Sequence, residues 1–253
     1  LHSGEIINTH LKTDWDLGFE SVDDGWTIRL NTSKAMRAAK TDAIWFSEVT
    51  DTSGVDWGWD VHSGNSDSTA IGDWRDEQKV YIIDLGYSLS GLSSLGFIKV
   101  RLEEIDNGYR LIYANLSDVD SSVVEILKDP NVNYTSFSFK DGGAVVDIEP
   151  NKEDWQLKFT VYTHLFEQND RILPYSVTGV LINPYLMNGL MDSLTAFEDI
   201  DLDFATSQLY SNHWNTIGYD WKEYSFNLGS YTVLHQMIYL LKSKEGYYWK
   251  LHF

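Results

Sequence analysis

The chain has 253 residues, of which 43% are hydrophobic and 14% aromatic, so it can build a substantial core. Its 38 acidic and 19 basic residues give a net charge of −19, which argues against nucleic acids and anionic membranes as partners, although the same charge also suits simple solubility. The lack of cysteine excludes disulfides, thiolate metal sites and a cysteine nucleophile. The sequence contains no apolar run of the roughly 18 residues that a membrane-spanning helix needs.

Alternation of apolar and polar residues predicts strands along most of the first half. Residues 32–40 are rich in alanine and predict a short helix, with Ser33 as its cap. Residues 51–69, rich in Gly, Ser, Asp and Asn, predict a long loop around Trp57 and Trp59. The predicted strands of this half cover residues 4–9, 15–19, 26–30, 78–85, 96–103 and 108–114.

The second half continues the same pattern. Residues 117–130 show a short helical pattern, and we take residues 117–132 as a connector. Residues 187–204 mix apolar and acidic side chains and predict a loop with one or two helical turns. The predicted strands cover residues 133–139, 143–148, 154–163, 176–182, 221–226, 236–242 and 246–253. The sequence therefore predicts a mainly β fold of antiparallel sheets with few short helices.

Several motifs of residues 4–115 recur in the same order in residues 133–253. Each half has a glycine, a short strand, a polar turn and then Asp-Trp-x-Leu-x-Phe. This order predicts two tandem repeats, residues 1–116 and residues 133–253, and leaves open whether they pack as one globule. The residues that we expect to be equivalent are Trp15 and Trp155, both buried; Trp74 and Trp221; and Lys99 and Lys250.

The second half resembles the HmuY family, clearly over residues 133–253, and the first half resembles it more loosely over residues 4–115. The resemblance rests on Tyr-Thr-Ser-Phe-Ser-Phe-Lys-Asp-Gly at 134–142, Asp-Trp-Gln-Leu-Lys-Phe-Thr-Val-Tyr at 154–162, Trp-Lys-Glu-Tyr-Ser-Phe at 221–226 and the closing strands at 238–253. It implies an exported, largely β, haem-binding lipoprotein on the surface of Bacteroidetes bacteria. Such a protein is not an enzyme, and for iron acquisition it passes haem to an outer-membrane transporter.

The resemblance also implies positions for the ligands of the haem iron, and this sequence departs from them. One ligand stands five residues after the tryptophan of the 221–226 motif, where this chain has Phe226, and a phenyl ring has no lone pair for iron. The matching residue of the first half is Lys79. The other ligand lies in the preceding loop, where the candidates are Met187, Met191 and His213. Met187 and Met191 are four residues apart, so one helical turn would place their side chains next to each other.

Each of these candidates also has a plainer interpretation. Met187 and Met191 suit core packing, and His213 suits a loop histidine bonded to backbone or water. His62, in the tryptophan-rich loop, is a further ligand candidate, whereas His164 and His235 read as half-exposed sheet surface.

Two alternative functions remain open. Trp57 and Trp59 suit a carbohydrate-binding or scaffold surface protein without haem. The acidic residues within 192–203 suggest two further hypotheses, a hydrolase or a calcium loop. The run of Asp199, Asp201 and Asp203 lacks the Gly and the Glu of an EF-hand.

The repeat also carries an expectation about the ends of the chain. The second half stops at the point that matches Leu102, without a counterpart of the strand at 108–114, and the first half has no counterpart of 134–139. Because a sheet that lacks a strand exposes unpaired backbone groups, we expect the native polypeptide to continue at both ends or a neighbouring segment to fill the gaps. A mature polypeptide that begins at Leu1 and ends at Phe253, measured by mass spectrometry, would contradict this.

Overall fold

The computed structural model describes residues 4–169 and 171–253, and it confirms a mainly β fold of antiparallel sheets with very little helix. The strands of the first half and its extension are β1 (Leu17–Glu20), β2 (Ile28–Leu30), β3 (Arg37–Lys40), β4 (Tyr81–Asp84), β5 (Phe97–Ile105), β6 (Gly108–Asn115), β7 (Ser122–Leu127), β8 (Tyr134–Ser138) and β9 (Ala144–Val146). The remaining strands are β10 (Leu157–Gln168), β11 (Arg171–Ile182), β12 (Met187–Asp192), β13 (Lys222–Ser225), β14 (Ser230–Val233), β15 (Ile238–Ser243) and β16 (Tyr248–Leu251).

Two sheets enclose the main core of the first half. One has the strand order β2-β1-β8-β9 and the other the order β3-β4-β5-β6-β7. Alternate residues of β4 face opposite sides, so Tyr81 and Ile83 enter the main core while Val80 and Ile82 enter a second cluster, and the strand is buried on both faces. Because β8 and β9 extend the sheet of β1, residues 134–146 complete the core of the first half.

The second half contains a three-stranded sheet and two hairpins. The sheet has the order β12-β15-β16, and the hairpins are β10–β11 and β13–β14. The β10–β11 hairpin is long, with twelve residues in each strand. The helical elements are α1 (Leu202–Ser207) and short 3-10 helices at Thr32–Lys34, Phe46–Glu48, Ser66–Ser68, Lys140–Gly142 and Phe197–Asp199.

Several local predictions were wrong. The helix expected over 32–40 is a single 3-10 turn capped by the Asn31 side chain rather than by Ser33, and it is followed by β3. The helical pattern over 117–130 is the strand β7, which pairs with β6 at the sheet edge. Strand pairing overrides the local pattern in both places. Residues 4–9 form no strand, β12 lies within the range predicted as a loop with helical turns, and β14 lies where no strand was predicted.

Two buried asparagines make matching contacts in the two halves, at the predicted repeat positions Trp15 and Trp155. The buried Asn31 side chain donates to the carbonyls of Lys12 and Trp15, and the buried Asn183 side chain donates to those of Lys152 and Trp155. Trp15 and Trp155 are both half-buried, not buried as expected. The tandem repeat itself stays a prediction.

Lysines that were predicted to match also bind alike. Lys99 Nζ donates to the carbonyls of Phe46 and Val49, three residues apart, and Lys250 Nζ donates to those of Phe197 and Ile200, also three residues apart. Each lysine thereby ties a strand to a 3-10 turn.

The structure contains no helix, in its described part, that is long and apolar enough to cross a membrane.

Candidate functional site: aromatic side chains on two hairpins

The inner part of the β10–β11 hairpin is fixed to the first half of the chain. Thr163 Oγ1 donates to the Thr32 carbonyl across 2.8 Å. On the other face of β10, Tyr162 is 1% exposed and its ring lies edge-on to the His62 ring, with 4.5 Å between centroids. The hairpin therefore leaves the body of the protein from a rigid base.

His62 is held neutral at this base. Its Nε2 lies 2.5 Å from Thr32 Oγ1. Burial, together with the positive charges of Arg29 and Lys158, lowers the pKa of His62 to about 3. The His62 imidazole is neutral and packs between a threonine and a tyrosine, which is a structural role. The ring is therefore neither free nor exposed, as the ligand predicted from the sequence would need to be.

The outer part of the β10–β11 hairpin carries apolar side chains that the core does not use. His164 pairs directly with Tyr175 and Phe166 with Leu173, so these four side chains share one face of the hairpin. Phe166 and Leu173 are each 42% exposed and Tyr175 is 61% exposed. The Tyr219 ring joins this face, with its centroid 5.0 Å from that of His164. We call these five side chains the aromatic surface.

The rings of the aromatic surface touch in a chain. The His164 ring lies edge-on to the Phe166 ring at 4.6 Å, and the Phe166 ring lies edge-on to the Tyr175 ring at 6.0 Å. His164 is half-buried between Phe166 and Tyr219. Such edge-to-face packing leaves ring faces available to a flat partner.

The β13–β14 hairpin begins three residues after Tyr219 and is also rich in exposed apolar residues. Tyr224 pairs with Tyr231, and their ring centroids lie 5.2 Å apart. Phe226 is 91% exposed and Leu228 is 75% exposed. Tyr219 belongs to the aromatic surface and shortly precedes β13, so the aromatic surface and the β13–β14 hairpin are close in the sequence.

The sequence-predicted ligands differ in exposure. Met187 is 2% exposed and packs in a core cluster, whereas Met191 is 44% exposed. Both belong to the strand β12, so the helical turn expected to align them is wrong, and a strand separates their Cα atoms by about 13 Å. His213 is exposed in the loop before β13, and Thr216 donates to its carbonyl. Ser211, two residues before His213, pairs with Gly189 of β12, between the two methionines. The roles of Met187, Met191 and His213 stay predictions.

The two positions at which the sequence departs from the family pattern are also visible. Phe226 stands exposed at the end of β13. Lys79 is half-buried and its Nζ donates to the Asp42 carbonyl across 2.6 Å. Phe226 has no lone pair for iron, and the Lys79 amine is engaged in this bond.

The residues behind the alternative functions are largely engaged within the fold. The Arg37 guanidinium lies over the Trp57 ring, 4.4 Å from its centroid, and also pairs with Asp84. A sugar that stacked on this ring face would have to displace Arg37. Asp201 caps α1 by accepting from the Phe204 amide, and among the described residues no group of three or more His, Asp or Glu side chains is placed to hold a metal.

Comparison with known families decides the relationship. The family model described as HmuY protein matches residues 1–253, the whole chain. The chain belongs to the HmuY family. Membership at this level supports an exported surface protein of the haem-binding type. For this HmuY-family chain, neither the comparison with curated proteins nor the comparison with solved structures gave a match.

The described residues of this HmuY-family chain fit a flat apolar ring better than they fit two iron ligands. The aromatic surface offers phenyl, phenol and aliphatic groups, and His164 is the imidazole within it. Sequence reasoning missed this surface because it ended one strand at residue 163 and began the next at residue 176, whereas β10 and β11 continue through the residues between them. The signal was present in the Ile-Leu-Pro-Tyr run at 172–175, which extends beyond the residues that the core can bury.

Proposed function

We propose that this chain is an exported, non-enzymatic binding protein that holds haem or a related flat hydrophobic ligand on the aromatic surface. The observation that supports this is the exposure of Phe166, Leu173 and Tyr175 on one face of a hairpin with a rigid base. Exposed apolar side chains that are contiguous in this way are typical of binding sites. Family membership supports haem as the class of ligand.

Each part of the site has a role in this proposal. Phe166, Leu173 and Tyr175 cover one face of the ligand and exclude water from it. The β13–β14 hairpin, through Tyr224 and Phe226, covers further apolar area. Haem, when bound, would supply an iron that accepts a lone pair, and we propose as donors the half-buried His164 of the aromatic surface and the partly exposed Met191.

The proposal includes delivery. Since the site lies on exposed side chains of two hairpins, a partner protein can reach the ligand without unfolding the core. We therefore propose that the chain passes its ligand to an outer-membrane transporter, and that a lipid anchor outside this chain keeps it at the cell surface.

A haem titration tests the proposal. Wild-type protein should develop a Soret band that differs from that of free haem and saturates at one haem per chain. His164→Ala and Met191→Ala each test one iron donor, and the variant whose Soret band shifts identifies it. Unchanged spectra in both variants, with binding retained, would remove both residues as ligands. No Soret change in the wild type would overturn haem as the ligand.

The alternative is a carbohydrate-binding surface protein that uses Trp57 and Trp59. Both rings are half-buried and both lie near the Arg37 guanidinium, at 4.4 and 5.8 Å. A glycan array separates the two functions, because glycan binding that is lost in Trp59→Ala would favour the alternative.

A further inference from the structure

Two histidines that neither function uses lie side by side near the end of the chain. His235 stands in the turn between β14 and β15, and His252 follows β16. Both residues are exposed, and their ring centroids are 6.2 Å apart. We propose that this pair binds a divalent transition-metal ion, of the class of Zn²⁺, Ni²⁺ or Cu²⁺, through the two Nε2 atoms.

The first support is the tautomer of each ring. His235 Nδ1 lies 2.9 Å from the Phe253 carbonyl oxygen, and His252 Nδ1 lies 3.4 Å from the His235 carbonyl oxygen. A carbonyl oxygen can only accept a hydrogen bond, so each Nδ1 must carry the proton. In a neutral imidazole, Nε2 then keeps its lone pair. Metal-binding histidines are oriented by this same bond from the second nitrogen.

The second support is the separation of the rings. With a metal–nitrogen distance of about 2.0–2.1 Å, the centre of a bound imidazole lies roughly 3.2 Å from the metal, so two rings on one ion are roughly 5–6.5 Å apart. The observed 6.2 Å falls in this range. The separation of the rings is therefore compatible with both imidazoles binding one ion.

The third support is the rigidity of the surroundings. The His252 ring stacks on the Phe197 ring, 4.5 Å between centroids and 17° from parallel. Phe253, whose carbonyl orients His235, stacks on Trp221 at 4.3 Å. The turn that carries His235 is held by the Leu234 amide, which donates to the Trp221 carbonyl across 2.8 Å. The pair is thus largely preorganised.

Because the charges near the pair are positive, only a metal that bonds strongly to nitrogen is expected to bind there. Lys250 lies over the Phe197 ring at 4.5 Å and Lys222 over the Trp221 ring at 4.3 Å, so the positive charge nearby opposes cations in general. The described residues bring no third His, Asp or Glu to the pair, so water completes the coordination. Imidazole ligands without carboxylates suit Zn²⁺, Ni²⁺ and Cu²⁺, whereas Mg²⁺ and Ca²⁺ prefer oxygen.

Calorimetric titration with NiCl₂ and ZnCl₂ tests the site. All proteins carry His2→Ala, so that this histidine does not contribute to the measured binding. The unaltered pair should bind one ion per chain, and His252→Ala should weaken binding at least tenfold. His213→Ala is the matched control, an exposed loop histidine outside the pair, and it should bind like the parent protein.

His235→Asn separates a metal ligand from a structural residue. Its amide can still donate to the Phe253 carbonyl, but it removes the Nε2 lone pair. We expect this variant to keep the parent melting temperature and to lose metal binding by at least tenfold. Parent-like affinity in both His252→Ala and His235→Asn, or no binding by the parent protein, would overturn the proposal.

Discussion

Buried asparagines hold the turn that precedes a strand in each half of the protein. Asn183 is fully buried, and its amide nitrogen donates to the Lys152 and Trp155 carbonyls, each across 2.7 Å. Asn183→Ala would leave two carbonyls without their donor, and we expect a loss of about 2–4 kcal/mol in the free energy of unfolding, measured in urea. Asn212→Ala, at an exposed position, is the control. A loss below about 0.5 kcal/mol for Asn183→Ala would contradict the role assigned to the side chain.

The acid sensitivity of the protein should depend on His62. Its pKa is lowered to about 3 in the folded state, mainly by burial, against about 6.5 in the unfolded state. Between these two pKa values the unfolded state binds a proton that the folded state does not bind. The free energy of unfolding therefore falls as pH drops below 6.5. From pH 7.5 to pH 5.0 wild type should lose about 2 kcal/mol more than His62→Gln, whose side chain does not titrate.

Asp60 acts in the opposite direction and is present in both proteins of that comparison. Burial raises its pKa to about 6, although the Ala70 and Leu30 amides donate to it. The stabilisation from its protonation is full below the unfolded-state pKa near 3.9 and is lost as pH rises through 6.

Unfolding curves of wild type and His62→Gln that change in parallel between pH 7.5 and 5.0 would contradict the account of His62.

At the scale of elements, alternation of residues predicted the hairpins but not the strands that depend on partners. The strands β5 and β6 match the predicted ranges closely because both alternate and both lie inside a sheet. β7 has an irregular pattern and forms at the sheet edge because β6 offers it backbone partners. The strand β12 contains Asn188 and Gly189, which disfavour strands locally, and it forms by pairing with β15. Of the candidate site, the sequence predicted the inner parts of β10 and β11, at 154–163 and 176–182, but not the outer parts, which carry the aromatic surface.

The outer β10–β11 hairpin should be separable from the fold. Replacing residues 165–174 by Asn-Gly leaves His164 and Tyr175 as the last pair and supplies a tight two-residue turn. Because the inner hairpin keeps its contacts with Thr32 and His62, we expect near-native circular dichroism and a melting temperature within a few degrees of wild type. Haem binding should be lost. Full haem affinity in this variant would move the ligand site elsewhere.

At the scale of the whole molecule, the two halves are joined by specific contacts. The Arg29 guanidinium lies over the Trp214 ring at 4.3 Å, and the Trp214 amide donates to the Ser63 carbonyl. Asn133 donates to the Asn183 side chain across 3.3 Å. These contacts tie the loops of one half to the other, so we expect a single cooperative unfolding transition for the full chain.

The sheet order also predicts which fragments can fold. Phe137 of β8 is fully buried in the main core of the first half, and β8 covers the edge of β1. A fragment of residues 4–150 should therefore unfold cooperatively in urea, whereas a fragment of residues 4–132 should not. Cooperative unfolding of the shorter fragment would show that β8 and β9 are dispensable for this core. Superposition of Trp15, Trp74 and Lys99 on Trp155, Trp221 and Lys250 tests the predicted repeat separately.

The binding of a flat hydrophobic ring to the aromatic surface is tested most directly with iron-free protoporphyrin IX, because this ligand removes any contribution from iron coordination. Its fluorescence should change on binding to wild type, and Phe166→Ser/Tyr175→Ser should weaken binding at least tenfold. The matched control is Phe159→Ser, since Phe159 lies on the same strand, is 69% exposed and faces the opposite side. Equal affinity of the double variant and wild type, or an equal loss in Phe159→Ser, would contradict the proposed site.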